Sequence, residues 1–201
     1  MEETIKNLFG ITFVAIVATY IMSSILEKRI NFKSWKLYVG ILAMVIILII
    51  NHEFFTSFVN IFNATVIIFL GNKFILNDKI NRSLCSAVLT QLIFIISEMI
   101  FLTVVTFIND FDVKTLTDTV FEQVITNLVI ALIAFIIFNI PFIKKNTKRI
   151  TNIMEQINNK TMVGLIILMI IVINLLLTAI YNKVNLIILL LTNTAFISLM
   201  I

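Results

Sequence analysis

The sequence predicts an all-α fold, a polytopic transmembrane helical bundle of about seven spans. Of the 201 residues, 60% are hydrophobic and 13% are charged, whereas soluble domains average about half apolar and a quarter charged. The apolar residues form continuous runs, unlike the short alternating strands of a membrane β-barrel. The 15 Lys and Arg residues lie between the runs and divide 12 to 3 between alternate gaps. Because short cytoplasmic loops retain Lys and Arg, the N-terminus is predicted outside and the C-terminus inside a bacterial cell membrane.

Each predicted span is a run near the roughly 20 residues with which an α-helix crosses about 30 Å of hydrocarbon. The first run follows two acids, Glu2 and Glu3, so we expect a retained span and no cleavable signal peptide. The second and third runs flank Asn51, His52 and Glu53 and predict a helical hairpin. The alternative, one re-entrant element, would spoil the charge alternation. The seven runs lie at residues 8–26, 37–50, 54–70, 84–108, 119–143, 162–181 and 184–201.

The segment that follows the fifth run combines a proline with an amphipathic pattern. Pro141 removes one helix hydrogen bond and predicts a kink in the last turn of the fifth span. Residues 144–160 form the longest inner loop, in which a helical apolar stripe comprises Ile150, Ile153, Met154 and Ile157. We expect this helix to lie on the inner membrane surface or against a partner. The alternative is a cytoplasmic extension of the sixth span.

Glu98 is the one acid well inside an apolar run. It lies about 21 Å from the inner end of the fourth span, outward of the membrane midplane. An acid near the bilayer centre costs about 3 kcal/mol on insertion scales, so we expect its carboxyl to be protonated or hydrogen-bonded to a neighbouring helix. Glu98 is therefore a candidate ligand or switch contact. The alternative is an interhelical hydrogen bond.

Further candidates lie toward the outer side. Asn60 and Asn63 share one face of the third span, and Asn127 lies about 12 Å from the outer end of the fifth. These side chains would line an outward-facing polar pocket, or alternatively hold the helices together. The outer loop at residues 109–118 is long enough to form a surface, with Phe111 and Asp112 as candidate ligand contacts, unless it is a solvated connector.

The residue types offer little chemistry for catalysis or metal binding. The single Cys, Cys85, starts the fourth span on the inner side, whereas the single His, His52, lies in an outer loop. The two therefore cannot form the thiolate–imidazole dyad of a cysteine peptidase. No span carries a pair of metal ligands at helical spacing. We expect no catalytic residue, no metal and no cofactor. Nucleic acid is not an expected partner either, because the positive charges should meet the anionic inner leaflet of the bilayer.

Three segments carry a family resemblance: Glu98 within IISEMIF, the basic inner segment GNKFILNDKINRS before it, and the basic stretch KKNTKR. With these segments on seven spans, the chain resembles the membrane sensor half of GHKL-type receptor histidine kinases, the group that includes the Agr-type peptide quorum-sensing receptors. The resemblance implies an outside N-terminus, a homodimer and binding of a small secreted peptide. It also implies a cytoplasmic kinase after the last span.

The sequence is compatible with three hypotheses of function, each of a different class. The first is a signal-receiving transmembrane domain of a bacterial sensor histidine kinase, which senses an extracellular peptide and relays helix rearrangement to the kinase. No phosphoacceptor or ATP-binding segment follows the last run, so the chain is expected to lack its output domain and not to be an enzyme by itself. The alternative is a small membrane transport or substrate-capture subunit that uses Glu98, Asn60 and Asn63. An accessory membrane protein with helix-packing partners is a third hypothesis.

Overall fold

Six α-helices make up the regular structure of the part of the chain that the structure describes. This computed structural model describes residues 2–54, 57–109 and 120–154, and it contains no strand in those ranges. The helices are α1 (Glu2–Ile25), α2 (Trp35–Phe54), α3 (Ser57–Leu76), α4 (Ile80–Asn109), α5 (Val120–Asn139) and α6 (Pro141–Met154). The predicted all-α class is therefore confirmed for these ranges. The predicted spans at residues 162–181 and 184–201 lie outside them.

Two helices have the length and composition of membrane spans, within Leu8–Ile25 of α1 and Ile80–Val105 of α4. Helices α5 and α6 satisfy the same criteria only as a bent pair, which would add a third span. The described apolar stretches of α2 and α3 are shorter, at Trp35–Asn51 and Asn63–Leu76. The described part of the chain thus has two or three membrane-compatible helices.

Helices α1 and α4 form the centre of the bundle. Helix α1 packs against each of the other five described helices, and α4 packs against α1, α3, α5 and α6. Because α4 is apolar around its whole circumference, it can be buried on several sides. The largest buried side chains of the main core include Ile21, Met22, Ile93, Met99 and Phe138. A second cluster joins α1, α2 and α3 through Ile11, Ala15, Met44, Val45 and Ile67.

Helices α2 and α3 are packed neighbours, and their close approach depends on Gly71. A Cβ atom on Gly71 would overlap Met44 Cγ and Sδ. Between helices in lipid, where no water is expelled, close packing against small residues supplies much of the attraction. The hairpin of α2 and α3 therefore rests on a small residue at the interface.

Residues with positive φ end two helices at the same end of the bundle. Glu27 (φ 57°) follows α1, and the Lys28 amide donates to Ser23 O at 2.9 Å, as in a Schellman motif. Asn77 (φ 47°) follows α3, and its amide donates to Lys73 O at 3.0 Å, as in the αL motif. Each cap satisfies helix carbonyls that would otherwise lack partners, so the chain reverses within a few residues.

Two predicted loops are wrong, because the structure makes most of their residues helical. Residues 71–83, predicted as a basic inner loop, are helical except at 77–79. Asn51, His52 and Glu53, predicted as a tight connection, belong to the end of α2. Polar side chains do not end these helices where they find partners within the bundle. Asn51 accepts an interhelical hydrogen bond, and Asn72 Nδ2 donates to Ile68 O at 3.0 Å.

The predicted fifth span, residues 119–143, is not one straight helix. Helix α5 ends at Asn139, and α6 leaves it at Pro141 with a bend of 80°. Proline has no amide hydrogen for the carbonyl of residue 137, and its ring would clash with that carbonyl in a continuous helix. Proline is well tolerated in the first turn of a helix, so α6 begins there. The break is thus sharper than the predicted kink of one turn.

The predicted apolar stripe of α6 faces the bundle at Ile150 and the surface at Ile153. Ile150 packs against the main core, but Ile153 is 52% exposed. Thr147 and Thr151 are buried in its place, and their hydroxyls donate to Ile143 O and Thr147 O, four residues back, at 3.0 Å each. Because that bond satisfies the hydroxyl, threonine can occupy a buried helix face. The side chain of Met154 is not described, and Ile157 lies outside the described residues.

Candidate functional site: a polar layer and a basic end

Every Lys and Arg whose side chain the structure describes lies at one end of the bundle. This end, which we call the basic end, contains the α1–α2 connection, the α3–α4 connection and α6. Its cations are Lys28, Arg29, Lys33, Lys36, Lys73, Lys79, Arg82, Lys144, Lys145, Lys148 and Arg149. The helix positions of Glu2, Glu3, Glu53 and Glu122 assign them to the opposite end.

Contacts to α1 and α4 fix α6 at the basic end. Lys148 Nζ lies 3.0 Å from Glu27 Oε1 in an ion pair, and Cys85 Sγ lies 3.9 Å from Thr151 Oγ1. At the end of α5, the Tyr20 hydroxyl donates to Asn139 Oδ1 at 3.1 Å. The ion pair is partly exposed and contributes at most about 1 kcal/mol. The apolar and threonine face of α6 therefore supplies most of the attachment.

Glu98, Asn127 and Gly10 lie at one depth in the bundle. Arg82 Nη2 donates to Leu26 O at 3.3 Å, which places the start of α4 near the end of α1 at the basic end. Counting from these two residues, Gly10 and Glu98 are each about 24 Å along their antiparallel helices. Asn127 of α5 packs against Gly10, where a Cβ would lie 3.1 Å from Asn127 Cβ. Two of the predicted site residues, Glu98 and Asn127, are thus at the same level.

Asn63 lies slightly nearer to the basic end and is bonded to α2. Asn63 Nδ2 donates to Asn51 Oδ1 at 2.9 Å, and Asn51 is almost completely buried. From the α3–α4 connection, Asn63 is about 20 Å along α3 and Glu98 about 27 Å along α4. We call Asn51, Asn63, Glu98 and Asn127 the polar layer. It crosses four helices in the half of the bundle away from the basic end.

The other predicted contacts fall where side chains are not described. Asn60 lies in α3, but its side chain is outside the described set, and Phe111 and Asp112 belong to residues 110–119, outside the described ranges. Asn51 was missed from sequence because it was assigned to a loop. The signal that could have indicated the pair was the spacing of 12 residues between Asn51 and Asn63, on either side of the predicted tight connection.

Cys85 and His52 are at opposite ends of the bundle. Cys85 lies in the second turn of α4, where it is buried beside α6, and His52 lies in the last turn of α2. Among residues 2–54, 57–109 and 120–154, no group of three or more His, Cys, Asp or Glu side chains is arranged to hold a metal ion. The described polar groups are therefore suited to hydrogen bonding and charge attraction.

No protein-family model, no curated protein and no solved structure matches the chain. The resemblance to sensor kinases therefore stays a prediction from the residues quoted above.

Proposed function

We propose that this chain is the signal-receiving membrane domain of a bacterial sensor histidine kinase and that it responds to a small extracellular peptide. In this proposal the protein is multi-pass, with the basic end in the cytoplasm and the N-terminus outside. The peptide binds at the outer loops and the polar layer, and the resulting helix rearrangement is transmitted through α6. The single observation that carries the proposal is that α4 and α5 hold Glu98 and Asn127 at one end and contact α6 at the other.

The orientation is supported by the separation of charge. The basic end collects cations from three segments that are far apart in sequence. Retention of Lys and Arg on the cytoplasmic side favours this end as the inner one. The polar layer then lies in the outer half of the bundle, where a secreted peptide has access.

The relay is supported by the geometry of the α5–α6 bend. Helix α5 carries Asn127 at the level of Glu98 and ends at Asn139, which is tied to Tyr20 of α1. Beyond the bend of 80°, α6 rests on the start of α4 through Thr151 and Cys85. A shift of α5 relative to α4 therefore changes how α6 packs against α4. For a peptide to cause that shift, it must bind one arrangement more tightly than the other.

The test uses the complete natural gene product in nanodiscs, with spin labels at Leu132→Cys and Asn152→Cys in a Cys85→Ser background, which keeps a polar side-chain atom beside Thr151. The probe is the low-molecular-mass peptide fraction of medium in which the source organism has grown. We expect this fraction to change the distance between the labels and the rate of autophosphorylation from ATP. Glu98→Gln should reduce both responses several-fold, since it alters the carboxyl in the polar layer and leaves α6 intact.

Two outcomes would contradict the proposal. One is a complete gene product that does not autophosphorylate. The other is solute uptake into proteoliposomes that is lost on Glu98→Leu, which would support the transport subunit. Thr12→Ser serves as the matched control, because this hydroxyl bonds within α1, to Leu8 O at 2.6 Å, and should leave both responses unchanged.

A further inference from the structure

A small cavity opens at the basic end, between the α1–α2 connection and the end of α3. Its volume is about 90 Å³, which is several times the roughly 10–15 Å³ that one water molecule needs. One part of the lining is polar and cationic, from Lys28, Arg29, Asn31 and Ser34, and the other is apolar, from Leu37 and Ile75 among others. The cavity is thus large enough for one compact anionic group, with apolar surface beside it.

The positive charge of this cavity is not balanced by the described acids of the basic end. Those acids are Glu27, which pairs with Lys148 at 3.0 Å, and Asp78, which lies 3.6 Å from Arg82. Both are directed to cations that do not line the cavity. Lys28 and Arg29 therefore remain a pair of adjacent positive charges, suited to a phosphate group.

An exposed apolar path leads away from the cavity along α2. It consists of Trp35, Val39, Leu42, Ile46 and Ile50, which recur at helical spacing and are each between 47% and 62% exposed. Next in sequence to the lining residues Ser34 and Ile75, the Trp35 and Phe74 rings pack edge-on with centroids 6.0 Å apart, and Tyr38 is exposed one turn further along α2. Trp and Tyr concentrate at the membrane–water interface. A ligand that fits both parts has an anionic head and a long apolar tail.

We infer that the cavity binds the headgroup phosphate of an anionic phospholipid of the inner leaflet, with an acyl chain along the exposed face of α2. Lys28 and Arg29 hold the phosphate oxygens, Asn31 and Ser34 supply hydrogen bonds, and Trp35 lies at the level of the glycerol backbone. This inference rests on membrane insertion as proposed above, but not on the sensing of a peptide. The anionic lipid would stabilise the α1–α2 connection. Through the ion pair of Glu27 with Lys148, it would also affect the position of α6.

Trp35 provides the readout, because it is the single tryptophan of the chain and lies at the rim of the cavity. The full chain is purified in a neutral maltoside detergent, in which no anionic surface is present. Its fluorescence is then titrated with brominated phosphatidylglycerol or with brominated phosphatidylcholine. Each Lys or Arg near an anionic headgroup is worth about fivefold in affinity. With two such residues in the cavity, we therefore expect quenching by phosphatidylglycerol at about 25-fold lower concentration than by phosphatidylcholine.

The matched variants separate a built site from diffuse charge attraction. Lys28→Gln with Arg29→Gln should bring the two lipids to within about twofold of each other. Lys33→Gln with Lys36→Gln removes the same charge from exposed neighbours that do not line the cavity, and it should keep the preference. Equal losses in both pairs would overturn the inference.

Inorganic phosphate distinguishes the two sources of the anionic group. Because free phosphate lacks the acyl contact with α2, millimolar phosphate should leave the quenching by phosphatidylglycerol in place. Full reversal of quenching by phosphate would mean a site for the free anion and would contradict the lipid assignment. Either result leaves the sensor proposal untouched, since that proposal is tested by autophosphorylation.

Discussion

At the scale of single residues, the members of the polar layer differ in what their contacts do. Asn63 is joined directly to Asn51 across the α2–α3 interface, which favours a role in holding the hairpin. Glu98 and Asn127 are half-buried, and Asn127 lies beside α1, where Gly10 leaves room for its side chain. Asn63 is therefore a candidate for a structural tie, and Glu98 and Asn127 stay predicted contacts for a ligand.

Replacing Asn63 with Leu should destabilise the bundle by about 1 kcal/mol. The change removes the amide that donates to Asn51 Oδ1 at 2.9 Å, and interhelical hydrogen bonds in lipid are worth about 0.6 to 2 kcal/mol. Unfolding in mixed micelles with increasing denaturing detergent measures the loss. The double variant Asn51→Leu with Asn63→Leu should cost less than the sum of the single changes, because both groups of the bond are then gone.

Additive losses in that cycle would contradict a direct coupling between the two asparagines. Thr103→Val is a suitable control, because its hydroxyl bonds within α4 to Met99 O at 2.7 Å. It should have little coupling to Asn51.

Sequence could predict which polar residues lie in the bundle, but not how they pair. Glu98, Asn63 and Asn127 stand out because each interrupts an apolar run, where a polar group is costly. The partner of Asn63 was not predictable. Asn51 reaches Asn63 because α2 continues past it, and polar composition alone does not show where a helix ends. In the structure Asn51 continues the helix and turns inward.

At the scale of elements, the α5–α6 bend determines where the basic charge of α6 is displayed. A straight continuation of α5 would carry Lys144, Lys145 and Lys148 away from the bundle. The bend of 80° brings Lys148 to Glu27 and lays Thr151 against α4. Helix α6 is thus an extension of α5 that folds under the bundle.

Replacing Pro141 with Ala should straighten this bend. Alanine restores an amide hydrogen that can bond to the carbonyl of residue 137, and it removes the clash of the proline ring. Spin labels at Leu132→Cys and Asn152→Cys, both at exposed positions, report the change in a Cys85→Ser background. With the bend of 80°, the backbone separation of the two positions is about 23 Å, and in a continuous helix it would be about 30 Å.

An unchanged distance in the Pro141→Ala variant would mean that the packing of α6, and not the proline, sets the bend. The control is Phe142→Ala, which truncates an exposed neighbour and should leave the separation near its starting value.

The helices follow from composition, whereas their ends depend on local geometry. Continuous apolar runs require an α-helix in lipid, because every backbone amide must be bonded within the segment. The loop predicted at residues 71–83 was wrong because polar residues can also be part of a helix. One asparagine with positive φ, Asn77, suffices to reverse the chain. The proline break, with its bend of 80°, allows α6 to bury a face of its own through Thr147 and Thr151.

At the scale of the whole molecule, the charges and the polar layer define an axis. Cations from three separate segments meet at the basic end, and Glu98 and Asn127 lie about 24 Å from the level of Arg82. Burial cannot explain why the cations share one end, since most of them are exposed or half-buried. Attraction to an anionic membrane surface would account for it, because the field of such a surface attracts Lys and Arg and falls off within a Debye length.

The orientation of this axis can be measured directly in intact cells. In a Cys85→Ala background, Asp112→Cys should react with a membrane-impermeant maleimide, and Asn152→Cys should react only after the membrane is permeabilised. Asn152 is exposed on α6 at the basic end, so lack of reaction in intact cells reports its side of the membrane and not burial. The reason for the expected sides is the retention of Lys and Arg in the cytoplasm. Labelling of Asn152→Cys in intact cells would reverse the axis and put the polar layer on the inner side. It would thereby remove both the peptide-sensing proposal and the assignment of the cavity to the inner leaflet.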